Sequence, residues 1–167
     1  MPFSLLPTMM VESVTQLTPE ALQRMNIRLL MLDFDNTIIP YTTNEPTPEM
    51  DQWLRSLVES SVAVCVVSNS HAGRVPAFCE KYGMSYILGA KKPFPVGIIS
   101  CLQLYGIPVS DCALAGDQIF TDTLGANLAG ARSILVKPIN NHNIWLRARH
   151  VLEKPFIYLA RKRRLPL

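Results

Sequence analysis

Apolar runs at 28–33, 62–67, 85–88, 113–115 and 133–136 alternate along the chain with segments carrying helix signals at 19–25, 47–60, 72–82, 95–105 and 121–130. Runs without polar interruption, such as Leu29 to Leu32 and Val62 to Val67, suit strands covered on both faces. Their alternation with helices predicts parallel βαβ units and a three-layer, doubly wound α/β fold. The helix starts are marked chemically. Thr18-Pro19-Glu20 and Thr47-Pro48-Glu49 each put a capping hydroxyl before a proline at the first helical position. Gly83 and Gly106 fall where two helices should end.

The strand predicted at 28–33 runs into Asp33-Phe34-Asp35-Asn36-Thr37. Residues two apart on an extended backbone point the same way, so the Asp33 and Asp35 carboxylates can converge just beyond a buried strand. Two such charges need a neutralising partner. A hard divalent cation such as Mg²⁺ provides one, and it keeps coordination positions for substrate phosphate oxygens. Three more apolar runs lead into polar loops: Val62 to Val67 into Ser68 and Asn69, the 85–88 run into Ala90-Lys91-Lys92-Pro93, and Ala113 to Ala115 into Gly116 and Asp117, with Asp122 five residues on. In an open α/β sheet ligands bind beyond the carboxyl ends of the strands, so all four loops can serve one site.

Carboxylate pair, hydroxyl, lysine and second carboxylate pair, in that order, resemble the four motifs of the haloacid dehalogenase superfamily, and specifically its DxD phosphatases. The resemblance runs from about Pro7 to Pro138. The stretch from Leu5 to Tyr41, the Ala90-Lys91-Lys92-Pro93 box and the segment Gly116 to Gly130 look like the YqeG-type subfamily IIIA phosphatases, a group related to the mitochondrial and plastid phosphatidylglycerophosphate phosphatases. The resemblance implies a Rossmann-like core, with Asp33 as the nucleophile that forms an aspartyl-phosphate and Asp35 as the acid and base. It further implies Mg²⁺ on Asp33, the Asp35 carbonyl and Asp117, with Ser68 and Lys92 on the phosphoryl group. Lys91 competes with Lys92 for that role, but the Lys-Pro dipeptide fits the family box. Asn36 and Thr37 are expected to shape the loop around the nucleophile and bind substrate, and Asn69 to assist Ser68. Asp122 is expected either to orient a metal-bound water or Lys92, or to cap a helix beginning near Thr121. Residues 38–46 fall where the superfamily places a mobile flap, with Tyr41 a candidate for touching the leaving group.

Loop lengths make the fold capless. Only 32 residues separate Asp35 from Ser68, and 23 separate Ser68 from Lys92. An open site suits bulky or surface-bound substrates. The 167 residues fit one domain, 1–167, ending in a basic tail at about 147–167. That tail carries seven Lys and Arg against Glu153, a net of +6 within a chain total of +3, which leaves −3 for the rest. A cationic end on an acidic body suggests an anionic membrane surface or, as the lesser expectation, a nucleic acid; a solvated helix end is the plain reading. No window approaches the roughly 18 apolar residues of a membrane span, and the N-terminus lacks a secretory pattern. A cytoplasmic location, peripheral at the inner membrane face, is the expectation. Cys65, Cys79, Cys101 and Cys112 show no metal-ligand spacing and read as buried thiols. His71, His142 and His150 also lack ligand spacing, and Trp53 and Trp145 read as packing residues.

The favoured function is Mg²⁺-dependent phosphomonoester hydrolysis, with phosphatidylglycerophosphate the first substrate. The alternatives are a soluble phosphatase acting on a nucleotide, sugar or phosphoprotein, and a factor that binds RNA or the ribosome.

Overall fold

The structure, a computed structural model, describes residues 3–40, 42–43, 45–71, 73–140 and 144–162; of 144–151 and 161 it describes the backbone. Six parallel strands form one sheet: β1 (Met9–Val11), β2 (Leu29–Leu32), β3 (Ala63–Val67), β4 (Ser85–Ile87), β5 (Cys112–Gly116) and β6 (Arg132–Val136), in the order β1-β6-β5-β2-β3-β4. The helices are α1 (Pro19–Arg24), α2 (Pro48–Val58), α3 (Arg74–Tyr82), α4 (Val96–Tyr105), α5 (Leu124–Ala129) and α6 (Ile144–Lys162).

Strand periodicity builds the three layers. Side chains alternate across a strand, so Leu30 and Leu32 of β2, Val64 and Val66 of β3 and Ala113 and Ala115 of β5 enter one apolar cluster, which α2 and α3 close with Trp53, Leu54, Leu57, Val75 and Phe78. Leu29 and Met31, Cys65 and Val67, and Cys112 and Leu114 face the opposite way into a second cluster, with Ile98 and Cys101 of α4 and Ala126 of α5. The apolar runs of the sequence are thus strands buried on both faces. All four cysteines are buried free thiols, and the Trp53 indole N–H donates to the Leu17 carbonyl at 3.0 Å. The caps sit where the sequence placed them: Thr18 and Thr47 accept the N–H groups of Ala21 and Met50 at 3.2 Å, and Gly83 and Gly106 end α3 and α4 in the left-handed conformation.

Two features differ from the sequence expectation, and the placement of the last helix, which the sequence leaves open, is a third finding. Met9–Val11 forms an edge strand of three residues, too short for its alternation to stand out. The helix expected at 121–130 begins earlier as a wide π-type turn, Ile119–Thr123, and becomes α-helical only at Leu124. Helix α6 is tied to the body rather than extended from it. The Ile119 N–H donates to the buried Glu153 carboxylate at 2.9 Å, and Phe120 meets Phe156 edge-on with ring centres 6.1 Å apart.

No helix among the described residues is long and apolar enough to cross a membrane. The expectations for Tyr41, His142, Arg163 and Arg164, and for the side chains of Trp145, Arg147, Arg149, His150 and Arg161, lie outside the described residues.

Candidate active site

The strand order reverses between β2 and β5: the chain leaves β2 towards β3 on one side, and β5 lies on the other. This is the switch point at which a doubly wound sheet opens a crevice. The Asp33 N–H donates to the Ala115 carbonyl at 2.9 Å, carrying the β2–β5 pairing one residue further and setting Asp33 beside the Gly116-Asp117 exit. On the other flank the Ser68 N–H donates to the Ile87 carbonyl at 2.9 Å, which holds the end of β3 against β4. The four motif loops therefore meet at one end of the sheet. A small cavity of about 80 Å³ lies there, lined by Asp33, Asp35, Ser68, Asn69, Lys92 and Gln118, among others.

Lys92 is the electrostatic centre. Its ammonium, 1% exposed, lies 2.7 Å from Asp33 Oδ1, 2.7 Å from Asp122 Oδ1 and 2.7 Å from the Val67 carbonyl. Two of its N–H donors are hydrogen-bonded, to Asp33 Oδ1 and the Val67 carbonyl, and Asp122 Oδ1 faces it as an ion-pair partner. Burial pulls the Lys92 pKa down, but the Asp122 and Asp33 carboxylates outweigh it and hold it above the usual lysine range. The exposed Lys91 has a left-handed backbone, φ 57°, and the turn it makes sends Lys92 inward. Burial pushes the Asp33 carboxyl up to about 7, against the pull of Lys92 and with the Asp122 and Asp35 charges adding to the rise.

Carboxylate oxygens of Asp33, Asp117 and Asp122 lie within 4.8 Å of one another. Asp33 Oδ2 is buried with no hydrogen-bond partner. An all-oxygen donor set around an unsatisfied buried carboxylate oxygen fits a hard divalent cation. Asp122 is bound on both oxygens, Oδ1 by Lys92 and Oδ2 by the Gln118 N–H at 3.1 Å. Gln118 is the residue that opens the π-type turn, so Asp122 braces Lys92 and caps its own turn at once. Gly116 lies against the Asp122 carboxyl, where any Cβ would overlap it.

Two sequence expectations need correction. Asn36 and Thr37 are 0% and 1% exposed and do not line the cavity. Asn36 adopts φ 66° and donates from Nδ2 to Asp117 Oδ2 at 3.2 Å and to the Asn140 carbonyl at 2.9 Å, so it braces an acidic residue instead of reaching substrate. Asn69 lines the cavity, but its amide is taken by the Lys92 backbone: Oδ1 accepts the Lys92 N–H at 2.7 Å and Nδ2 donates to the Lys92 carbonyl at 2.9 Å. The Ser68 hydroxyl oxygen accepts the Ser70 N–H at 3.0 Å and lines the cavity. At the start of the flap, Ile38 and Ile39 are buried core residues.

Sequence reasoning passed over Arg74. Its guanidinium pairs with Asp35 Oδ1, donates to the Thr43 carbonyl at 3.2 Å and lies over the Phe34 ring at 5.1 Å. One signal was available: a cation in the first turn of a helix opposes the helix dipole. An arginine there needs an anionic partner from outside the helix.

A family profile described as mitochondrial PGP phosphatase matches residues 1–82, and one described as HAD-hydrolase-like matches residues 89–149. The chain is 33% identical over 134 residues to the "Probable phosphatase YqeG" of Bacillus subtilis, covering 80% of this chain and 78% of that protein. Among solved structures, a hypothetical protein of Xanthomonas campestris superposes with a TM-score of 0.57 at 18% identity, over 89% of this chain and 80% of that one. The cobalt-bound deoxy-D-mannose-octulosonate 8-phosphate phosphatase of Haemophilus influenzae gives 0.54 at 12% identity, over 74% and 75%. The two structures share the fold; the sequence relationship to YqeG carries the assignment, and the chain belongs to the subfamily III phosphatases of the haloacid dehalogenase superfamily.

Proposed function

We propose that this phosphatase hydrolyses phosphomonoesters with Mg²⁺ through an aspartyl-phosphate on Asp33, and that its substrate is phosphatidylglycerophosphate. The observation that carries the chemistry is the buried Asp33–Lys92–Asp122 chain at the switch point, with one Asp33 oxygen left unsatisfied. The match of residues 1–82 to the mitochondrial PGP phosphatase profile supports the substrate. Asp33, the Asp35 carbonyl and Asp117 would hold the cation, which when bound offsets charge on the phosphoryl oxygens.

Asp33 attacks phosphorus, the bond to the leaving oxygen breaks, and Asp35 gives that oxygen a proton. Asp35 then takes a proton from a water that attacks the phosphoenzyme, releasing inorganic phosphate and restoring Asp33. Lys92 neutralises Asp33 against the incoming phosphate, and Ser68 donates to a phosphoryl oxygen. Asp122 keeps Lys92 in place.

Arg74 is a positioning residue in this scheme, since it fixes the Asp35 carboxylate through Oδ1. Arg74→Ala should lower kcat/KM on alkyl phosphates, which reports phosphoenzyme formation, by about 10- to 100-fold, part of the usual contribution of a placed general acid. p-Nitrophenyl phosphate releases a phenolate that needs no proton, so its kcat/KM should fall by less than about threefold. An equal loss on both esters would mean that Arg74 only supports the fold.

The reading as a whole is tested by phosphate release from the purified protein with Mg²⁺, comparing micellar phosphatidylglycerophosphate with a panel of soluble sugar, nucleotide and protein phosphomonoesters. Turnover of the lipid well above every soluble ester is the expected result. Turnover restricted to a soluble ester would keep the mechanism and reject the lipid.

A further inference from the structure

A cleft of about 690 Å³ runs between the β1–β6 edge of the sheet and α6, and Asp117 forms part of its wall. Its lining is mainly apolar, from Met10 and Val11 of β1, Leu135 and Val136 of β6, and Ile157 and Tyr158 of α6. Clefts of roughly 300–1,000 Å³ with apolar walls and a few polar groups are the usual form of a small-molecule site. None of these six residues belongs to the phosphoryl-transfer machinery. Asp117 nevertheless sets the cleft beside the active site: the residue is part of the cleft wall, and one of its carboxylate oxygens lies within 4.8 Å of an Asp33 carboxylate oxygen.

The charged groups on the cleft complete the picture. Glu12 is paired with Lys137 at 2.9 Å, and Glu153 accepts the Ile119 N–H. Lys154 adds a positive charge at the margin. An occupant would therefore meet an apolar trough, the Lys154 charge and, at Asp117, a wall shared with the phosphatase centre. The wall is also fixed relative to the chemistry, since Glu153 and Phe156 anchor α6 to the turn that carries Asp122.

We propose that this cleft is the docking site for an acyl chain of the lipid substrate, with the phosphodiester near Lys154 and the terminal phosphate at Asp33. The proposal rests on the lipid reading above and adds where the apolar part of the molecule lies. Binding energy from a part of the substrate remote from the reacting atoms appears in kcat/KM. Each methylene that enters the cleft should raise that ratio by up to about fourfold, the value of one buried methylene.

The test uses dibutanoyl, dihexanoyl and dioctanoyl phosphatidylglycerophosphate as monomers below their micellar concentrations, so that recruitment to a surface plays no part. The wild type should show kcat/KM rising with chain length, mainly through KM. Ile157→Asp, which charges the trough, and Ile157→Trp, which fills it, should flatten the rise while leaving dibutanoyl turnover and the melting temperature near wild type. A flat wild-type series, or a rise kept in both variants, would overturn the proposal. Calorimetric binding of dioctanoyl phosphatidylglycerol, the dephosphorylated product, separates this inference from the substrate reading. If the phosphorylated lipids are not turned over but the product binds in an Ile157-dependent way, the cleft stands and the substrate assignment falls. If neither occurs, the cleft is not a lipid site.

Discussion

Asp33→Asn should abolish turnover on every substrate, a loss of about 10⁴- to 10⁶-fold as for removal of other covalent nucleophiles, while raising the stability of the metal-free protein at neutral pH. The two effects have one cause. Burial raises the Asp33 carboxyl most, and the Asp122 and Asp35 charges add to the rise against the pull of Lys92, so it is pushed up to about 7. An unfolded aspartate titrates near about 3.9. Between those values the folded chain holds a proton that the unfolded chain has lost, and stability falls as pH rises through the interval. Asparagine keeps the shape and removes the charge. The melting temperature of Asp33→Asn without metal should therefore exceed that of wild type at pH 8, and the gap should narrow towards pH 4. Mg²⁺ should raise the wild-type value and leave the variant nearly unchanged. Residual turnover in the variant would rule Asp33 out as the nucleophile, and a lower melting temperature at pH 8 would contradict the electrostatic account.

The sequence exposed those parts of the site that are set by strand ends. A strand buried on both faces shows as an unbroken apolar run, and a ligand crevice must lie at its carboxyl end, so Asp33, Ser68, Lys92 and Asp117 could each be located from their neighbours. Lys92 over Lys91 rested on the resemblance of the Lys-Pro dipeptide to the family box; of the two, Lys92 is the buried one. Contacts that cross the chain were not legible. Asn36 reads as a turn residue, and only the loop after β6, 104 residues away, makes it a brace between Asp117 and Asn140. Glu153 lies in a basic helix and looks like one more solvated charge; its burial follows from a backbone N–H left open at the start of the turn at Ile119. Arg74 belongs to no motif, and its partner Asp35 precedes it by 39 residues. The edge strand Met9–Val11 was missed for a different reason, because three residues are too few to establish a period.

Lys92→Met should cost about 3–5 kcal/mol of stability, the penalty of removing one partner from a buried ion pair, and should reduce phosphatase activity to near background. Methionine fills most of the lysine volume, so the loss is electrostatic. The Asp33 and Asp122 carboxylates would face each other without the ammonium that lies 2.7 Å from each, and the Val67 carbonyl would lose its donor. Lys92→Arg should not rescue activity, because a planar guanidinium cannot place donors on three acceptors arranged around one compact ammonium. Neutralising the second carboxylate distinguishes charge from packing. In the Lys92→Met background, Asp122→Asn removes a repulsion; in wild type the same change removes an attraction to Lys92 and weakens the acceptor of the Gln118 N–H. The two substitutions should therefore be non-additive, with the double variant more stable than the sum of the single losses by about 1–3 kcal/mol. Denaturant midpoints at an unchanged slope supply all four corners of that cycle. Additive losses would mean that Lys92 serves the fold by packing alone, and the buried carboxylates would then need a different neutralising partner.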